Sequence, residues 1–123
     1  LKKICFLFSF TISILIACNS TTINFIEISK IPRDVQNNID AKSTLQLIND
    51  GKNSSFIVFH SKRSVISTIE AEGGKIKINL DEVSPQDHII EQHVYKLMKN
   101  PEHEIIDVYI NGKSTPFDVV TGL

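Results

Sequence analysis

From Phe56 to Ile110 apolar and polar residues alternate with period two over much of the chain, a rhythm that predicts extended strands. Ile76, Ile78 and Leu80 fall on one side of such a strand and Lys75, Lys77 and Asn79 on the other, so one face is dry and one wet. Just before them, Val65 to Ala71 is rich in β-branched residues, and Gly73-Gly74 supplies the tight turn that joins the two runs. Phe56-Ile57-Val58-Phe59 differs, because four consecutive apolar side chains predict a strand covered on both faces. Ile106, Val108 and Ile110 again share one side, and Asn111-Gly112 is a type I′ turn dipeptide leading into a last strand over Lys113 to Thr121. Pro116 lacks an N–H, which places that strand at a sheet edge.

Two regions are less regular. In the segment from Ser84 to Asn100, Ser84, Pro85 and Asp87 resemble a helix start, and Ile90, Val94, Leu97 and Met98 lie at helical spacing. An antiparallel hairpin of residues 92–98 with 104–110 fits as well and is preferred, leaving one short helical turn near Pro85. Residues 18–42 carry Asn, Asp and Ser together with Pro32 and predict a lipidated N-terminus and tether, in which Ile23 to Ile28 could add a strand. Leu45 to Ile48 could add another, followed by a turn at Asn49-Asp50-Gly51. The expected fold is mostly β: a small antiparallel β-sandwich or partly open barrel of about six or seven strands over residues 43–123.

The first residues have the layout of a secretory signal, residues 1–17. Lys2 and Lys3 are the positive start, and residues 4–17 carry no charge. Fourteen residues of helix cover roughly 21 Å, short of a hydrocarbon core of about 30 Å, so the run reads as a removable signal rather than a span. Leu1 ahead of two lysines fits a TTG start codon read as leucine. Leu15-Ile16-Ala17-Cys18 resembles the lipobox of bacterial lipoproteins, small Gram-positive, Bacillus-type chains among them. That resemblance implies a diacylglyceryl thioether on Cys18, cleavage before it, and attachment to the cell membrane on its extracytoplasmic face. Cys5 then leaves with the signal, so no internal disulfide remains available to the mature chain.

Charge excludes one class of partner. Without Lys2 and Lys3, 11 basic side chains face 14 acidic ones, a net charge of about −3, which does not recommend nucleic acid. His88, Glu91 and His93 suggest a zinc site. Residues five apart, however, point roughly 140° apart on a helix and to opposite faces of a strand, so solvated surface histidines, His60 and His103 included, are the expectation. No metal and no cofactor is expected. Nucleophile elbows and phosphate-binding glycine loops are not found, and Asp81, Glu82, Glu102 and Glu104 read as solvated charges. Among the aromatics, Phe59, Tyr95 and Tyr109 are the candidates for ligand or peptide contact, with Tyr95 and Tyr109 forming an exposed stacking pair across the expected hairpin.

The stretches STLQLINDGKNSSFIVFHSK (43–62), QHVYKL (92–97) and IDVYINGKSTPFDVVTG (106–122) resemble those of a group of short Gram-positive lipoproteins, some labelled peptidyl-prolyl isomerase. The resemblance implies a folding helper for exported chains, an activity that needs an aromatic pocket around the proline ring and no covalent step. No residue matches a known isomerase motif, so no catalytic residue is assigned. The preferred expectation is a lipid-anchored lipoprotein whose β-domain binds an extracytoplasmic protein or envelope component, with isomerase activity as the alternative.

Overall fold

A computed structural model describes residues 23–51, 54–84, 89–98 and 105–123. Among the described residues nine strands and one helix follow in chain order: β1 (Asn24–Ile28), α1 (Arg33–Asn38), β2 (Leu45–Asn49), β3 (Ser54–Ser61), β4 (Val65–Glu72), β5 (Lys75–Glu82), β6 (Glu91–Met98), β7 (Ile105–Ile110), β8 (Lys113–Thr115) and β9 (Val119–Gly122). They form a five-stranded sheet, in the order β1-β6-β3-β2-β9, and a four-stranded sheet, in the order β4-β5-β7-β8. The two pack as a small β-sandwich without closing into a barrel.

The expected alternation is present where it was clearest. Ile76, Ile78 and Leu80 are fully buried, and they meet Leu45, Leu47, Ile57, Phe59, Tyr95, Leu97 and Val108 in the core between the sheets. Because β3 is central, it buries both faces: Ile57 and Phe59 look inward, while Phe56 and Val58 join Ile48, Val94 and Val35 on the outer side of the five-stranded sheet. Glu72 pairs with Lys75 across the Gly73-Gly74 turn. Asn111 and Gly112 take positive φ angles of 52° and 83°, as a type I′ turn between β7 and β8 requires.

Four expectations are corrected. The sheets are mixed rather than antiparallel, since β2 runs parallel to β9 and β5 parallel to β7. The reason is the path of the chain: β5 goes up one sheet, β6 returns in the other, and β7 must then run alongside β5. For the same reason no hairpin joins 92–98 with 104–110; β6 lies between β1 and β3, where both of its faces are buried. The single last strand is two, broken at Pro116, with β8 edging one sheet and β9 the other. Both pieces are edges, as Pro116 demanded.

The stretch assigned to a tether is folded from Ile23 onward. β1 pairs along its length with β6, and α1 lays Val35 on the outer face of the five-stranded sheet with Ile28, Ile31 and Ile39 around it. Composition obscured the helix, because its contact is made by four aliphatics spread through a polar stretch. The helical turn expected near Pro85 falls outside the described residues, as do the signal, Cys18, His88 and His103. Among the described residues no helix is long and apolar enough to cross a membrane.

Candidate functional site

With α1 covering the outer side of the five-stranded sheet, the outer side of the four-stranded sheet is left open among the described residues. The Gly73-Gly74 turn sets its register: Glu70 faces Lys77 and Glu72 faces Lys75, while β7 brings Asp107 beside Lys77 and Tyr109 beside Asn79. Glu70, Glu72, Lys75, Lys77, Asp107 and Tyr109 together line a shallow cleft of about 130 Å³. The Lys75 ammonium lies 3.1 Å from the Asp107 carboxylate, which raises the lysine pKa above its ordinary value by hydrogen bonding and charge. The Lys77 ammonium sits 4.4 Å from the centre of the Tyr109 ring, a cation–π contact. Asn79 donates to Glu70 at 3.1 Å. Opposite charges alternate across three strands around a half-buried phenol, a surface that can match a partner bearing both signs of charge.

The three candidate contact aromatics do not converge. Phe59 and Tyr95 are buried on the inner face of the five-stranded sheet, and Tyr109 is on the outer face of the other sheet. The Tyr95–Tyr109 pair is therefore not formed. Tyr95 instead stacks on Phe25 of β1, centroids 5.2 Å apart and planes 12° from parallel. Its hydroxyl is buried without a hydrogen-bond partner of good geometry, and burial, then the Glu27 charge, raises its pKa, against a lowering influence from the Ser67 side chain.

Two histidines are not the solvated groups expected. His93 is buried beside Tyr95, with Nδ1 3.0 Å from a Glu27 carboxylate oxygen and Nε2 3.9 Å from a Glu91 carboxylate oxygen, without a hydrogen bond to Nε2 among the described residues. His60 places Nδ1 2.8 Å from the Ser43 carbonyl oxygen and Nε2 3.1 Å from Gln92 Oε1. Neither has a metal-binding set around it: among the described residues no group of three or more His, Cys, Asp or Glu is arranged to hold a metal ion. His88 lies outside the described residues, and spacing alone could not show that the Glu27 side chain of β1 would meet His93.

Glu82 is also more than a solvated charge. It accepts hydrogen bonds from the Ser61 hydroxyl, which reaches from the other sheet, and from Asn111 Nδ2 at 2.9 Å, while its own N–H donates to Asn111 Oδ1 at 2.9 Å. These donors hold its carboxyl below the ordinary value of 4.5. A depressed carboxyl stabilises the fold above its unfolded pKa and loses that contribution as pH falls through the folded value. The stability gap between wild type and Glu82→Gln is therefore expected to shrink as pH falls below 4.5. Urea unfolding of both proteins at neutral pH and at about pH 3 measures it, with a gap of about 1 kcal/mol or less at the start, given the partial exposure of the group.

No family model, curated protein or solved structure matches the sequence. The grouping of charges around Tyr109 is partly legible in the sequence: a two-residue turn at Gly73-Gly74 fixes the Glu70–Lys77 and Glu72–Lys75 pairs. The contribution of Asp107 and Tyr109 was not legible, because it depends on the parallel pairing of β7 with β5.

Proposed function

We propose that the protein is a lipoprotein of the cell membrane, held on the extracytoplasmic face by a diacylglyceryl group on Cys18, whose β-domain binds a protein or envelope component. The observation that carries the anchor is the uncharged run of residues 4–17 ending in Leu15-Ile16-Ala17-Cys18. The binding face is the open side of the four-stranded sheet, around Tyr109 and its alternating charges. The isomerase alternative needs a concave aromatic pocket. Phe56, Phe59 and Tyr95 are buried in packed clusters, so among the described residues the geometry favours binding without catalysis.

The test uses the full chain expressed in a Gram-positive host. Growth with an alkyne palmitate analogue is expected to label the wild type and not Cys18→Ala. A photo-crosslinking residue at Thr68 or Ser114, both exposed and lying on the open side by register with Asn79 and Tyr109, is expected to give a discrete adduct, with Gln92 in the other sheet as the negative control. Unlabelled wild type overturns the anchor. Adducts from Gln92 alone overturn the assignment of the face.

A further inference from the structure

We propose that one end of the sandwich, the one carrying Ile26, Met98, Ile105 and Leu123, rests on the surface of the bilayer, so that the domain stands with a fixed end down. This rests on lipidation of Cys18. All four side chains are exposed. Their place at one end follows from the register. Met98 is level with Asn24, where β1 begins, and with Ser54, where β3 begins. Ile26 lies two residues along β1, on the same side of the sheet as Met98. The Leu123 N–H donates to the Asn49 carbonyl at the end of β2, and the Ile105 N–H donates to the Gly74 carbonyl in the β4–β5 turn. The Ser61–Glu82 hydrogen bond joins the two sheets at their opposite ends, which brings these ends together too.

The length of chain between the anchor and the fold decides which end meets lipid. Cys18 to Thr22 is five residues, at most roughly 18 Å when fully extended. β1 starts at the end just described, so its aliphatic side chains stay within that distance of the acyl chains. The far end lies beyond the length of β3 and β5, eight residues each, or roughly 27 Å further. Ile66, Val83, Ile89 and Ile90 are exposed at that far end and are as apolar as the near set. The two ends therefore differ in reach and not in hydrophobicity. Aliphatic side chains held against a bilayer enter the boundary between headgroups and acyl chains, adding a second attachment to the lipid anchor.

Single cysteines at Met98, Leu123, Ile66 and Val83 test the proposal in the full chain, since Cys5 leaves with the signal and the Cys18 thiol is consumed by lipid. Each variant is labelled in isolated membranes with an environment-sensitive fluorophore, and shallow spin-labelled lipids are added as quenchers. Quenching at 98 and 123 is expected to exceed that at 66 and 83 at least twofold. Equal quenching at both ends, with protein still palmitate-labelled and membrane-bound, overturns the docked orientation and leaves the anchor standing. Stronger quenching at 66 and 83 overturns it by inverting the domain. Unlabelled protein in the supernatant overturns the anchor and the orientation together. Two positions at each end keep the comparison open if one variant misfolds.

Discussion

Tyr95→Ala is expected to destabilise the domain by about 3–5 kcal/mol, the range for removing a large buried aromatic side chain. Tyr95 is fully buried and belongs to the core between the sheets. It also stacks on Phe25, so the substitution removes the packing that seats β1 against β6 as well as leaving a cavity. Tyr95→Phe separates ring from hydroxyl. The ring is kept and a buried hydroxyl without a well-placed partner is removed, so this variant is expected to match or exceed wild-type stability by about 1 kcal/mol. Urea unfolding of the three proteins measures both effects. A large loss in Tyr95→Phe would show that the hydroxyl makes a bond the static geometry does not display. Against a total stability of about 5–15 kcal/mol, the alanine variant stands near the threshold of folding, so loss of any activity in it says nothing about a binding pocket.

The second large effect is expected at Gln46, a polar side chain with no exposed surface. Its Oε1 accepts the Asp40 N–H at 2.8 Å, and its Nε2 donates to the Asn38 carbonyl at 2.8 Å and to Thr121 Oγ1 at 3.3 Å. One amide thus satisfies the backbone after α1 and reaches β9 from β2. Gln46→Leu keeps the volume and strands those partners, at a cost of about 2–3 kcal/mol from groups left unsatisfied under cover. The loss should be local as well as global: amide exchange is expected to accelerate at Asp40 and through β9, more than at Ile76–Leu80 in the other sheet. Uniform acceleration, or no change in stability, would show that α1 is held by Val35 and its apolar neighbours alone. Gln46 drew no notice in the sequence because a glutamine between Leu45 and Leu47 looks like the wet position of an alternating strand. It is covered only because α1 and the chain after it fold over that side.

The contrast between these residues marks where local information ended. Period-two alternation in β5, the four apolar residues of β3, and the turns at Gly73-Gly74 and Asn111-Gly112 are statements about neighbours within a few residues. Backbone geometry and the two faces of a strand translate them directly into structure. The sequence alone therefore determined a mostly β domain, the inward side of β5, the burial of β3 on both faces, and an edge at Pro116. The charges flanking the Gly73 turn could likewise be paired from the turn alone.

Partners distant in sequence were decided only by the tertiary structure. Whether β6 pairs with β7 or enters the other sheet depends on which arrangement buries both of its faces, and alternation carries no label for the partner. That choice made β5 and β7 parallel, separated Tyr95 from Tyr109, and placed Asp107 and Tyr109 beside Lys75 and Lys77. Ile23 to Ile28 showed a strand pattern, but Ile31, Val35 and Ile39 are scattered through a polar stretch, and their burial comes from a surface that β2, β3 and β6 build elsewhere in the chain. Hydrophobic burial is proportional to area removed from water and indifferent to sequence distance. The pattern of the chain could say which side chains leave water, and only the assembled sandwich could say against what.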